Sequence, residues 1–136
     1  MDQKITIDHI GWITNDVELF EKFWVSILGF ERVWESDLSN DLTIALFNIP
    51  GGAKCYRYKR GDIVIEVHKF TLESNFELTR FDRYGINHIG LHLEDRKKFL
   101  EGFKGGTHIF HNPKGWDNIF IRDFEGNWVE LKETFK

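Results

Sequence analysis

The chain has 136 residues, of which 41% are apolar and 29% charged, with a formal net charge of −4. This composition is typical of one globular domain with a hydrophobic core and excludes a disordered chain. Scattered basic residues exclude a nucleic-acid interface, and no segment is apolar for long enough to span a membrane. Because Cys55 is the single cysteine and the first residues lack a signal-peptide pattern, we expect a cytoplasmic protein.

The first half of the chain predicts mixed secondary structure. Alternating β-branched residues predict strands, and apolar residues at helical spacing after Asp16 predict a helix that ends at Gly29. Residues 40–49 suit a strand or a short helix, and we favour the helix because Pro50 follows an i, i+3, i+4, i+7 apolar pattern. The predicted strands are 4–13, 30–37, and a hairpin of 53–60 and 62–70 across Gly61-Asp62.

A polar connector, residues 71–84, is compatible with a helical turn and leads into a second half with the same plan. The predicted elements there are a strand at 86–93, a helix at 95–103, and strands at 107–111, 117–122 and 127–133. One such half cannot close a core alone, so two halves must associate, within one chain or between two.

The two halves also share a sequence repeat. IDHIGWITNDVELF at 7–20 and INHIGLHLEDRKKF at 86–99 align at a shift of 79 positions, which places His9 against His88. Each copy is followed by a strand with one acidic residue, Glu66 in DIVIEV and Glu130 in GNWVEL. Two imidazoles and two carboxylates suit one divalent transition metal: Zn, Ni, Co, Mn or Fe(II). We expect no organic cofactor.

The chain resembles the vicinal oxygen chelate superfamily, which includes glyoxalases, bleomycin-binding proteins and extradiol dioxygenases. Four motifs carry the resemblance: DHIG at 8–11, IEV at 65–67, GINHIGL at 85–91 and RDFEGNWVEL at 122–131. It implies an α+β fold of two βαβββ modules whose mixed sheet curls around a cavity. We place the modules at 1–73 and 84–136, with a connector at 74–83, in one domain of 1–136.

The resemblance further implies that His9, Glu66, His88 and Glu130 are the metal ligands, and that the protein is a homodimer. By similarity to glyoxalase I, Glu130 or Glu66 is the catalytic acid/base, and we favour Glu130. Further candidates for contact with a small-molecule substrate are His68, His92, Trp12, Arg57 and Trp116, although each of these residue types is also common in a core or at a rim.

These residues favour a metal-dependent lyase or isomerase that acts through a metal-bound enolate or enediolate on a small oxygen-rich substrate. A glutathione adduct is a poor fit, because the positions of the glutathione contacts in bacterial glyoxalase I hold Ile13 and Phe70. Two alternatives stay open. One is a metal-free, drug-sequestering protein of the bleomycin-resistance type, and the other is an extradiol-type dioxygenase. The metal, the substrate and any exchange of modules between subunits are open as well.

Overall fold

The computed structural model describes residues 3–72 and 85–133. The chain divides into two compact units, a first unit of residues 1–75 and a second unit of residues 76–136. The predicted connector at 74–83, with its helical turn, lies outside the described residues. No helix in the described ranges meets the length and hydropathy needed to cross a membrane.

The first unit is a four-stranded mixed sheet with two helices. Its strands lie in the order β1-β4-β3-β2, with β1 parallel to β4 and the other neighbours antiparallel. Along the chain the elements are β1 (Ile10–Ile13), α1 (Val17–Trp24), β2 (Glu31–Leu38), α2 (Asn40–Phe47), β3 (Ala53–Arg60) and β4 (Ile63–Phe70).

The second unit repeats this topology, with one helix among its described residues. The strand order is β5-β8-β7-β6, again with one parallel pair, β5 with β8. Its elements are β5 (His88–Leu93), α3 (Arg96–Gly102), β6 (Thr107–His111), β7 (Asp117–Arg122) and β8 (Trp128–Glu133). The predicted α+β fold of two modules is confirmed, as two separate four-stranded sheets and with an additional helix, α2, in the first module.

The first strand of each unit is shorter than the sequence predicts. β1 begins at Ile10 instead of residue 4, and β5 begins at His88 instead of residue 86. In the parallel register Ile10 faces Ile65, and β4 itself starts at Ile63. By this register Asp8 falls opposite Ile63, so residues 4–7 have no residue of β4 beside them to accept their hydrogen bonds, whatever their alternation.

The helices begin at the residues that the sequence predicts. The carboxylate of Asp16 accepts from the amide of Leu19, and that of Asp95 accepts from the amide of Lys98. The repeated Asp is therefore a helix N-cap in both units. Ser39 caps α2 in the same way, so the helix favoured for residues 40–49 is confirmed.

The two faces of each sheet have different chemistry. In the first unit, Phe20, Phe23 and Trp24 of α1 are buried against Tyr58, Ile65 and Val67 of the sheet. Alternation then places Glu66 and its neighbour Gly11 on the opposite face. In the second unit Val129 and Leu131 are fully buried, and Glu130 between them lies on the other face. We call this second face of each sheet the carboxylate face.

Candidate metal centre

His88 and Glu130 are in direct contact on the carboxylate face of the second unit. The Nε2 atom of His88 lies 3.2 Å from Oε2 of Glu130, and the Glu130 side chain is only 12% exposed. Phe120 pairs with Glu130 across β7 and β8. Its ring lies nearly perpendicular to the His88 imidazole, with 5.2 Å between the ring centroids. Two ligands of one transition ion, at bond lengths of about 2.0–2.2 Å, stand about 3.0–3.4 Å apart, which matches this separation.

Asn87 fixes the orientation of the His88 ring. Its Oδ1 lies 2.7 Å from Nδ1 of His88. A proton on Nδ1 leaves Nε2 with a lone pair in the neutral ring, and this nitrogen is the one that faces Glu130. Facing lone pairs on nitrogen and carboxylate are stabilised by a proton or by a cation, so the pair has the chemistry of a ligand set.

The first unit repeats this arrangement one residue before its own histidine. Oδ2 of Asp8 lies 2.6 Å from Nδ1 of His9. Because a carboxylate only accepts, Nδ1 of His9 carries the proton and Nε2 is left to bind a ligand. The same contact holds the pKa of Asp8 below its usual value, chiefly through the hydrogen bond from His9.

Glu66 differs from Glu130 in its partners. Its Oε2 accepts from Nε of Arg57 at 2.9 Å and from Nη2 at 2.8 Å, while Oε1 lies 3.4 Å from Nε2 of His68. In the described part of the chain, Glu66 and His9 make no hydrogen bond or ion pair with each other. Arg57 was a candidate for substrate contact, and the structure places its guanidinium on Glu66 and over the ring of Trp34.

A glycine stands directly opposite each carboxylate. Gly11 pairs with Glu66 in β4, and Gly90 pairs with Glu130 in β8. A Cβ atom built on either glycine meets no other atom within 4 Å. The repeated glycine thus leaves space beside each carboxylate, where a bound group can approach the backbone closely.

Cys55 and His68 extend the first unit's carboxylate face. Cys55 pairs with His68 across β3 and β4, and both residues are buried. Burial first, and then the charge of Glu66, raise the pKa of the Cys55 thiol to about 11, so the free thiol is protonated at neutral pH. Burial also lowers the pKa of His68 and keeps its ring neutral.

The remaining candidates lie apart from these contacts. Trp12 is on the α1 side of its sheet, where its ring meets that of Trp24 at 5.5 Å. His92 contacts the backbone carbonyl of Glu133 at 3.0 Å through Nδ1. Trp116 is half exposed between β6 and β7.

Sequence reasoning missed three residues of this region: Asp8, Asn87 and Cys55. Asp8 and Asn87 occupy equivalent positions of the repeat, and both present a side-chain oxygen. Their shared role could therefore have been predicted from the sequence. The position of Cys55 beside His68 could have been predicted from the hairpin, because pairing across Gly61-Asp62 places position 55 opposite 68.

The fold and these residues agree with the comparison to known families. The family model of the glyoxalase/bleomycin resistance protein/dioxygenase superfamily matches residues 6–131, so the chain belongs to this superfamily. Its members are often enzymes and commonly bind a divalent metal. No curated protein matches the chain significantly.

Solved structures give the same fold at low sequence identity. A glyoxalase family protein from Bacillus cereus superposes with a TM-score of 0.79 at 12% identity, over 99% of this chain and 97% of that one. A glyoxalase family protein from Enterococcus faecalis gives 0.67 at 19% identity, over 93% and 95%. The fosfomycin resistance protein FosX from Listeria monocytogenes gives 0.66 at 15% identity, over 98% and 96%.

Proposed function

We propose that this protein is a divalent-metal-dependent lyase or isomerase that acts on a small substrate with two adjacent oxygen atoms. The observation that carries the proposal is the repeated orientation of the two histidines. In both units the preceding side chain holds Nδ1 and leaves Nε2 for a ligand, and in the second unit that nitrogen faces a carboxylate at 3.2 Å. A repeat that served only the fold would not require both histidine rings to be held by Nδ1 in this way.

The proposed ligands are His9, Glu66, His88 and Glu130, contributed by one chain or by two. A cation held by them would supply Lewis-acid stabilisation of negative charge on a substrate oxygen. Zn, Ni, Co, Mn and Fe(II) all accept imidazole and carboxylate donors.

Glu130 is the proposed acid/base. Its Oε1 lies 3.7 Å from Nζ of Lys132, and its side chain is largely shielded from water. A shielded carboxylate beside open backbone at Gly90 is placed to take a proton from a substrate carbon and to return it. Glu66 is the second candidate for this role, held in one orientation by Arg57.

The substrate is proposed to be a small oxygen-rich molecule other than a glutathione adduct. Ile13 lies at the end of β1, and the ring of Phe70 is buried against Phe47 and His68. Neither side chain offers a hydrogen bond to a peptide-like cosubstrate.

The ion pair between Arg57 and Glu66 favours a second candidate, an enzyme with three protein ligands. If Glu66 stays with Arg57, the ligands are His9, His88 and Glu130, and a further coordination position is left for substrate or dioxygen. Ring-cleaving dioxygenases, which use two histidines and one carboxylate, fall in this group. The Glu66→Gln variant separates the two: Mn(II) affinity falls if Glu66 is a ligand and is unchanged if it is not.

The test of the enzymatic proposal is electron paramagnetic resonance of the Mn(II)-loaded protein. Hydroxyacetone and glycolate, with two adjacent oxygens, are expected to displace metal-bound water and change the spectrum, whereas acetone and acetate are not. Glu130→Gln should weaken the Mn(II) signal of bound metal. A protein that binds Mn(II) but gives one unchanged spectrum with all four compounds is not an enzyme of this kind. A folded protein that binds no metal supports the drug-sequestering alternative.

A further inference from the structure

Three potential metal ligands of the first unit converge on its carboxylate face, apart from the histidine that the repeat singles out. They are Cys55 in β3 and Glu66 and His68 in β4, and their ligand atoms all lie within 4.8 Å of one another. The strand register produces the cluster, because Cys55 faces His68 and Glu66 is two residues earlier on the same face.

Two of the three side chains, Glu66 and His68, are held in place by contacts that leave their ligand atoms directed at each other. Arg57 occupies Oε2 of Glu66, and Oε1 therefore faces His68. The His68 ring is held by two aromatic neighbours, with Phe70 stacked on it at 5.8 Å and Phe47 edge-on at 5.1 Å between ring centroids.

We propose that Cys55, Glu66 and His68 form a second cation site, specific for a thiophilic divalent metal such as Zn²⁺ or Co²⁺. A thiolate, an imidazole and a carboxylate are all ligands that zinc accepts, and three protein donors leave one position of a tetrahedron for water. The thiolate selects against Mg²⁺ and Mn²⁺, which prefer oxygen donors.

The supporting contacts are those expected around a metal ligand. The Arg57 guanidinium orients the Glu66 carboxylate, and the rings of Phe47 and Phe70 fix the plane of the His68 imidazole. Cation binding deprotonates the Cys55 thiol, and one proton is released to solvent for each ion bound. This site does not depend on the proposed function, since it shares only Glu66 with the other ligand set.

The experiment is a titration of the reduced, full-length protein with Co(II), followed by near-ultraviolet absorption. Thiolate bound to Co(II) gives an intense charge-transfer band. Since Cys55 is the single cysteine of the chain, any such band arises from this residue. We expect a band that saturates at one ion per chain in the wild-type protein, and none in Cys55→Ser.

His68→Phe is the matched variant, because it keeps an aromatic ring between Phe47 and Phe70 and removes the nitrogen ligand. We expect it to fold, by circular dichroism, and to need at least about 100-fold more Co(II) to develop the thiolate band, because loss of a direct ligand exceeds the 10–100-fold cost of losing an outer contact. If Cys55→Ser does not fold, the wild-type band and its loss in His68→Phe decide the question.

Glu130→Gln distinguishes this proposal from the proposed function. It removes a ligand of the first set and leaves all three residues of the second site intact, so the Co(II) band is expected to be unchanged. Folded wild-type protein without a charge-transfer band, or a band that persists at full intensity in folded Cys55→Ser, would overturn the second site. Loss of the band in Glu130→Gln would also contradict it, by assigning the thiolate to the other centre.

Discussion

Asp8 and Asn87 occupy the same position before the two repeated histidines and contact the same ring nitrogen. The repeat thus extends from the histidines to the side chains that orient them. One partner is a carboxylate and the other a neutral amide, so the two contacts differ in charge but hold the same ring nitrogen. The contact can therefore be tested by placing the residue type of one unit at the equivalent position of the other.

Asn87→Ala is expected to lower Mn(II) affinity by about 10–100-fold, because the His88 ring is then no longer held in one tautomer and one orientation. Asn87→Asp is the matched control, since it reproduces the Asp8 contact and should retain or raise affinity. Isothermal titration with Mn(II) measures both. Equal affinities in wild type and Asn87→Ala would show that the contact does not position a ligand.

Tyr58 provides a prediction about pH. Its hydroxyl donates to Oε1 of Glu21 at 2.7 Å, and burial, followed by this contact, raises its pKa above the ordinary value of 10.0. The folded pKa is above the unfolded one, so the contribution to stability is complete below about pH 10 and is lost as the pH rises through the folded value.

Tyr58→Phe should therefore lower the free energy of unfolding by about 1 kcal/mol near neutral pH, through the lost hydrogen bond. The difference between the two proteins should shrink as the pH rises above about 10. Urea denaturation at a series of pH values measures this. A difference that stays constant up to the alkaline limit of folding would refute the assigned cause.

The residues of the candidate metal centre show what the sequence does and does not predict at this scale. The repeat identifies His9, His88, Glu66 and Glu130 as candidates, because equivalent positions in the two halves can be compared without a structure. It does not predict that Arg57 contacts Glu66, since that contact depends on side-chain rotamers. Cys55 lies outside the repeat and is found only when the hairpin pairing is followed from Gly61-Asp62 to position 68.

At the scale of elements, predictions were accurate where the determinants are local. The caps Asp16 and Asp95 and the hairpin across Gly61-Asp62 all act within a few residues. The predicted helix end at Gly29 was wrong, because α1 ends at Trp24 and hydrogen-bonded turns lead from there to Gly29. The start of β1 depends on where β4 begins, some fifty residues later along the chain, so alternation alone overextends it. The apolar pattern of α2 was also misleading about burial, because Thr43 is its one buried residue.

Arg96 connects α3 to its sheet. Its Nη1 donates to the carbonyls of Asp117 at 3.1 Å and Leu131 at 3.0 Å, and the side chain is only 15% exposed. Arg96→Ala leaves both carbonyls without this charged donor, so we expect the free energy of unfolding to fall by about 2–3 kcal/mol. Lys97→Ala, an exposed neighbour on α3, should change it by less than about 0.5 kcal/mol. Chemical denaturation measures both, and equal effects would contradict the role given to Arg96.

For the whole molecule, the resemblance to the superfamily supports the proposal of a homodimer, and the two units leave open which chain supplies each half of a metal centre. Mixing His9→Ala with Glu130→Gln answers this. If the centre combines the first unit of one chain with the second unit of its partner, a mixed dimer regenerates one intact centre and Mn(II) binding returns. If each centre uses one chain, mixing restores nothing. Sedimentation of the same samples establishes the oligomeric state.

The most direct test of the central claim is the metal content of protein purified without chelator, with four variants side by side. His9→Ala, His88→Ala and Glu130→Gln each remove one proposed ligand. His111→Ala removes an exposed histidine that also contacts a carboxylate, Asp117 at 2.7 Å, outside the proposed centre. We predict near-stoichiometric transition metal in wild type and His111→Ala, and a large loss in the other three. Two results would contradict the assignment of the repeated histidines and carboxylates as a metal centre. One is an equal metal content in all folded variants. The other is a wild-type protein that holds no metal even after Zn²⁺, Ni²⁺ or Mn²⁺ is added.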